Sequence, residues 1–298
     1  MSKWTGKTRG GTFGYRFFIL MIKNCNRKLT YSFMRIVAFY FFLFNKNHSL
    51  KFYFKEIHSY KGLKIYKSIY RNFVLLGEVL IDKISFLVKD NNNITFDYEG
   101  EEYLHEMANN KGGILIGAHM GNWELAGNLL ERVDAKVNVL MLDAEHENIK
   151  KLFENYGIKR KFEIIPIKND FSHLLAIQNA LENKEFVVMH GDRFVEGNDF
   201  VEVDFLGKTA KFPVGPLYMA SKYGAPVSFV FTLKENSNHY HFYATKPKIY
   251  PYPANLKTRR EKQVEMVKEY VECLEEKLIK YPTQWFNYFP FWNEESSN

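Results

Sequence analysis

From Gly113 onward, short apolar runs alternate with stretches of helical periodicity, and that rhythm leaves few folds open to the chain. Residues 113–118, 137–142, 163–167 and 186–190 read as strands, bounded by glycine, turn or polar residues. Residues 123–133, 145–156 and 172–182 carry apolar side chains at helical spacing between them. Strands alternating with helices of about ten residues imply crossover units. The expected fold class is therefore α/β, with a largely parallel central sheet flanked by helices. Upstream, residues 61–88 are helical by their spacing (Ile65, Ile69, Phe73, Leu76, Leu80), ITFDYEG is a strand and residues 101–108 a helix. Downstream lie VEVDFLGKTAKF, a helix over 215–223, the strands PVSFVFTLK and HYHFYATKPKIY, and a charged helix over 258–281. No internal repeat or low-complexity linker appears, so residues 56–298 are expected to form one α/β domain.

Charge sets residues 1–55 apart. They hold eleven Lys/Arg and no Asp/Glu, the first acidic residue being Glu56. The other 243 residues hold 30 basic and 34 acidic side chains, a net of −4, so the whole positive excess is N-terminal. The same segment is aromatic and apolar, in GYRFFILMI and TYSFMRIVAFYFFLF. The longer run is 15 residues and contains Arg35, short of the roughly 20 that cross a bilayer. No small-residue cleavage site of a secretory signal follows it. A basic flank with interleaved Phe and Tyr suits a helix or hairpin lying on, or dipping into, an anionic membrane face. The plain alternative is a core helix with solvated lysines. Membrane lipids are expected as partners and nucleic acid is not, because the apolar block offers no alternating stacking platform. Cys25 and Cys273 make neither a disulfide framework nor a thiolate cage, which fits a reducing compartment.

The chemistry concentrates in ILIGAHMGNWELAG. His119 falls in the turn after a strand, Asn122 is a good N-cap, and Glu124 follows in the first helical turn. With the histidine outside the helix, the chain can fold back and bring carboxylate to imidazole. A carboxylate partner fixes the histidine tautomer and stabilises the imidazolium formed when the ring takes a proton. His119 is the one histidine of the nine followed five residues later by an acidic residue, but such short spacings arise by chance, and a structural turn histidine is the alternative.

Strand 186–190 runs into HGDRF, at the end of a parallel strand expected to neighbour His119, so His190, Asp192 and Arg193 are candidates to bind a polar head group or phosphate. An Asp/Arg pair stabilising a turn explains them equally well. Gly207, Thr209 and Gly215 suit close approach of a substrate, or equally a hairpin turn followed by a helix cap. His119, His190, Asp143 and His146 are possible metal ligands at strand ends, without H-x3-H or H-E-x-x-H support. The chain has no G-x-S-x-G elbow, P-loop or dinucleotide fingerprint.

In their order, these segments resemble the late acyltransferases of lipid A biosynthesis, within the lysophospholipid acyltransferase superfamily. The resemblance covers nearly the whole chain. AHMGNWE looks like the family's H-x4-[DE] block, HGDRF stands where the family has an Asp-Gln pair, and DFLGKTAKFPVGP resembles its FFG-x-x-A-x-T-x-x-G segment. The opening WTGKTRGG and the closing QWFNYFPFW are similar to a Bacteroidetes-type subgroup. Arg193 in place of Gln, and the shifted register at Thr209 and Lys211–Phe212, are departures at positions expected to shape acceptor recognition.

The resemblance implies acyl transfer from an acyl-carrier-protein or coenzyme A thioester to a hydroxyl of a lipid acceptor, a lipid A precursor or a related lipid. It implies an enzyme at the cytoplasmic face of a bacterial inner membrane. His119 and Glu124 are the expected catalytic pair. Gly121, Asn122, Trp123, His190, Asp192, Arg193, Gly207, Thr209 and Gly215 are the expected substrate-binding set, with amides around Gly121–Trp123 as oxyanion donors. No metal and no bound cofactor is expected. Lys150, Lys151, Lys159, Arg160 and Lys161 are the expected docking patch for an acidic carrier protein. The rival classes are a metal-dependent hydrolase at the same strand ends and a non-catalytic membrane lipid-binding protein.

Overall fold

The computed structural model describes residues 11–44, 48–88, 93–123, 125, 130–142, 162–167, 170, 172–193 and 197–292. The basic aromatic segment forms two helices, α1 (Gly11–Asn24) and α2 (Arg27–Phe44), with Asn26 capping the second through its side-chain oxygen on the Leu29 amide at 2.8 Å. After α3 (His48–Phe52) and one π-helical turn, the long α4 (Leu63–Val88) begins. Ile19, Ile22 and Tyr31 pack on Ile81 and Ile84 of α4. Further along, α2 crosses α4 at Gly77, where an added Cβ would lie 2.2 Å from the Met34 side chain. Only glycine permits that approach without repacking. Outward, α2 leaves Ile36, Phe39, Tyr40, Leu43 and Phe44 exposed, a stripe at helical spacing. Among the described residues, no helix is long and apolar enough to cross a membrane.

The central sheet follows the alternation read from the sequence. Its strands are β1 (Thr95–Glu99), β2 (Gly113–Gly117), β3 (Val137–Leu142), β4 (Glu163–Ile167) and β5 (Phe186–His190). A separate hairpin of β6 (Phe200–Phe205) and β7 (Lys208–Pro213) follows, and β8 (Pro226–Lys234), β9 (His239–Ala244) and β10 (Lys248–Ile249) complete the sheet. The helices between are α5 (Glu101–Asn110), α6 (Ser172–Glu182), α7 (Gly215–Tyr223) and α8 (Arg259–Lys280). The strand order is β1-β9-β8-β2-β5-β3-β4, with β10 beside β8. All neighbours from β8 to β4 are parallel, while β9 turns back against β8. The sheet is thus largely parallel, as the pattern required. The helical reading of 145–156 lies outside the described residues, as do 124 and 126–129, while 130–133 form a 3-10 turn.

The apolar runs have a two-sided cause. In β2, Ile114 and Ile116 face a core shared with α3, α4, α7 and α8, while Leu115 faces one shared with α5 and β3. A strand covered on both faces needs a continuous apolar sequence rather than an alternating one. The hairpin shows the contrast: β6 alternates exposed and buried residues. Its two-residue turn, Leu206–Gly207, has positive φ at both positions (53° and 80°), the backbone a tight hairpin demands.

Candidate active site

The strands β2 and β5 are parallel neighbours, with Gly117 beside His190. Two residues beyond each strand end come His119 and Asp192, so the register alone brings them together at the carboxyl edge of the sheet. Ligand sites of open α/β sheets form along that edge. The backbone is pinned there. The Gly191 amide donates to the Gly117 carbonyl at 2.9 Å, and the Tyr270 hydroxyl of α8 donates to the same oxygen at 2.9 Å. An added Cβ at Gly191 would lie 2.7 Å from the Tyr270 ring, so that position has no space for a side chain.

Asp192 is buried and fully engaged. Its Oδ1 lies 2.8 Å from Nδ1 of His119, and its Oδ2 accepts the His119 backbone N–H at 3.0 Å and the Trp285 indole N–H at 3.0 Å. Burial works against its ionisation, but the charge and hydrogen bond of His119, with Arg193 and His190 beside it, outweigh that and hold the carboxyl well below its ordinary range. The His119 side chain keeps 25% of its surface exposed, so the ring is anchored on one edge and open on the other. With Nδ1 committed to a carboxylate, Nε2 is the nitrogen left to exchange a proton.

His190 stacks on His119, with ring centroids 4.2 Å apart at 31°, and Trp123 meets His190 edge-on at 4.8 Å. Burial, then the nearby charges of His119 and Arg193, push the His190 imidazole well below its ordinary value, so it is neutral. Among the described residues, its Nδ1 is buried without a hydrogen-bond partner. Arg193 donates through Nη2 to the Phe286 carbonyl at 2.7 Å and lies over the Phe289 ring at 5.5 Å.

The turn between His119 and the following helix is held by the amides expected to serve an oxyanion. The Gly121 N–H donates to the Gln284 carbonyl and the Asn122 N–H to that of Thr232, at 2.9 and 2.8 Å. Gly121 has φ +61° and sits so close to the Thr232 carbonyl that a Cβ would fall 2.1 Å from its oxygen. Asn122 is buried. Its Oδ1 accepts the Leu125 amide at 3.3 Å, and its Nδ2 reaches the Val79 carbonyl and the Tyr240 hydroxyl. The N-cap role therefore stands. The amides of Gly121 and Asn122 are spent on the fold, which corrects their expected place in the substrate-binding set.

Glu124 lies outside the described residues, as do Asp143, His146 and the basic cluster 150–161. Asp192, grouped in the sequence with head-group ligands, is the carboxylate that meets His119, and its burial removes it from a head group's reach. Gly207 forms the hairpin tip and Thr209 is exposed on β7. The hairpin approaches the site through Phe205, whose ring is 5.9 Å from Trp285, and Phe212, 6.3 Å from Tyr270. Gly215 opens α7 with free space where a Cβ would be. The sequence reading missed Tyr270 and Trp285 as parts of the site. The closing QWFNYFPFW was read only as a subgroup likeness, which carries no link from Trp285 to Asp192.

Ligand atoms of His119, His190 and Asp192 all lie within 4.8 Å of one another, a spacing that a metal ion could use. Both Asp192 oxygens already accept hydrogen bonds, however, so a cation would have to displace those donors. The donor set therefore fits an acid–base pair better than a metal site.

Against known proteins, residues 20–293 match the model for bacterial lipid A biosynthesis acyltransferases. Over 115 residues, 38% of this chain and 36% of the relative, the sequence is 28% identical to a phosphatidylinositol mannoside acyltransferase of Mycobacterium tuberculosis. Over 116 residues it is 24% identical to the protein of that name from Mycolicibacterium smegmatis, covering 39% of this chain and 38% of the relative. The chain thus aligns with little more than a third of the length of these curated relatives. Among solved structures, the 1-acyl-sn-glycerophosphate acyltransferase PlsC from Thermotoga maritima matches with a TM-score of 0.38 and 16% identity, over 84% of this chain and 99% of that one.

Proposed function

The chain belongs to the bacterial lipid A biosynthesis acyltransferase family, and from that premise we propose that it moves a fatty acyl group from a thioester to a lipid hydroxyl. The donor in this reading is an acyl carrier protein or coenzyme A thioester. The acceptor is a hydroxyl of a lipid A precursor or a related lipid. The observation that carries the reading is His119, open to solvent on one edge and bound through Nδ1 to buried Asp192 on the other.

The reaction balances on that pair. Nε2 of His119 takes the acceptor's hydroxyl proton as its oxygen attacks the thioester carbonyl carbon. Asp192 stabilises the imidazolium that results. The tetrahedral adduct then expels the thiolate as the carbon–sulfur bond breaks, and the imidazolium returns the proton to sulfur. The new ester stays on the lipid and His119 is neutral again. No acyl-enzyme is invoked, and neither a metal nor a bound cofactor takes part.

The apolar stripe of α2, beside basic residues of the N-terminal segment, supports placement on an anionic membrane surface, in this reading the cytoplasmic face of the inner membrane. The test is transfer of labelled acyl groups from acyl carrier protein and from coenzyme A into a total membrane lipid extract, by wild type and His119→Ala. A labelled lipid made by wild type and lost in the variant is expected, and its mass identifies the acceptor. Full activity of His119→Ala would sink the assignment. A variant that still binds lipid and performs its cellular role without transfer would indicate a binding protein instead.

A further inference from the structure

Trp285 is buried to 1% exposure in a box of rings: Tyr53, Phe205, Phe291 and Trp292 have centroids 5.0 to 5.9 Å from its own. Among these the indole N–H finds its acceptor in Asp192 Oδ2 at 3.0 Å. A buried donor without a partner is costly, so the ring has reason to hold this orientation. Its backbone is fixed just as firmly. Trp285 forms an antiparallel bridge with Met120, the Phe286 amide donates to the His119 carbonyl, and Gln284 accepts from Gly121. Residues 284–286, leaving a 3-10 turn at Pro282–Gln284, therefore run alongside the His119 turn.

That segment is clamped from both sides. The Gln284 side chain accepts the Lys234 amide at 2.9 Å and donates to the Lys234 carbonyl at 2.7 Å. Asn72 of α4 donates to the carbonyls of Thr283 and Trp285 at 3.0 and 2.8 Å. Both clamps are side chains that bind backbone and take no part in the chemistry. Their effect is to fix the indole relative to His119.

Building on the acyl-transfer reading, we propose that Trp285 is a positioning residue: its N–H holds the Asp192 carboxylate in the orientation that aims Nε2 of His119 at the acceptor hydroxyl. Oδ2 is held by two N–H groups and Oδ1 is left for the imidazole, so removing the indole donor frees the carboxylate to turn and the ring to follow. A catalytic base even slightly misaligned loses rate, because general-base transfer depends on near-attack geometry. The other polar groups around the pair are His190, Arg193, which donates to the Phe286 carbonyl, and the Tyr270 hydroxyl, which donates to the Gly117 carbonyl.

The test replaces Trp285 site-specifically in the full chain with benzothienylalanine, which keeps the bicyclic shape and has sulfur in place of N–H. 5-Fluorotryptophan, which keeps the donor, is the rescue. The benzothienyl protein is expected to lose about 10- to 100-fold in kcat, the range a hydrogen bond to a charged group commands, with KM and melting temperature nearly unchanged. The fluorotryptophan protein is expected to match wild type. Wild-type kcat in the benzothienyl protein, or a loss that only follows the fraction unfolded, would overturn the positioning role. His119→Ala separates the two ideas: if it remains active, acyl transfer through His119 fails, and if it is inactive while the benzothienyl protein is unimpaired, only the role of Trp285 fails.

Discussion

Two buried aspartates meet a basic side chain in this protein, and their surroundings give them opposite tasks. Asp192 is paired with His119, a ring with one solvent-facing edge. Asp82 on α4 is paired with Lys234 on β8, and both are sealed, at 0% and 1% side-chain exposure. Around Asp82 the hydroxyls of Tyr31 and Tyr240 close the cluster, with Tyr240 donating to Oδ2 at 2.6 Å and Lys234 reaching the Tyr31 oxygen at 3.0 Å. Burial lowers the lysine's tendency to stay charged and Asp82 opposes that, while burial raises both phenols. The Asp82 cluster ties α2, α4, β8 and β9 together and has no face on which a substrate could react. In the proposed reading, what separates chemistry from scaffolding is one accessible nitrogen, not the presence of a buried charge.

The sharpest way to break the contrast is His119→Ala. It should reduce transfer by about 10²- to 10⁴-fold, the contribution of a general base, a loss of activity per folded molecule that no change in the fraction folded accounts for. Lys234→Met should do the reverse. Leaving Asp82 buried without its cation should cost about 3–5 kcal/mol in unfolding free energy, with activity per folded molecule retained. The double variant Asp82→Leu/Lys234→Met should recover part of that stability, because the uncompensated charge is gone. A double variant no more stable than Lys234→Met would mean that the pair is not the source of the loss.

Asp192→Asn probes the first pair by pH. Burial alone would raise this carboxyl, but His119, Arg193 and His190 leave it lowered in the folded protein. A carboxyl with a lowered folded value adds stability above its unfolded value of about 3.9 and loses it as the pH falls further. The stability gap between wild type and Asp192→Asn should therefore be largest near neutrality and narrow below about pH 4 in denaturant titrations. A gap that does not change with pH would show that the carboxylate's charge is not what holds it. The smallest expected effect is that of a chelator. With both Asp192 oxygens taken by N–H donors or the imidazole, EDTA should leave turnover unchanged, and loss of activity restored by zinc would favour a metal site.

Much of the fold was legible because local pattern and tertiary demand agree. The strands at β2 and β5 and the helix Ser172–Glu182 fall where their apolar spacing places them. The site was legible only in part. The turn after β2 advertised His119 and the Asn122 cap, since both depend on neighbours within a few residues. The meeting of His119 with Asp192 depends on β5 returning to lie beside β2 after β3 and β4, a strand order that spacing does not encode. The engagement of the Gly121 and Asn122 amides was hidden for a like reason, because their acceptors lie on Gln284 and Thr232. Trp285 stands 93 residues from Asp192, and nothing in the sequence links a tryptophan to one carboxylate among 34 acidic residues.

That separation also sets an order of events during synthesis. Domains tend to organise as the chain emerges, N-terminal parts first. Helices α1 and α2 leave the ribosome before the strands that seat His119 and Asp192. Translation must run another 93 residues past Asp192 before the indole arrives. The apolar stripe of α2 is thus complete before the acid–base pair can be assembled, so the fold gains its exposed apolar face before it gains its site.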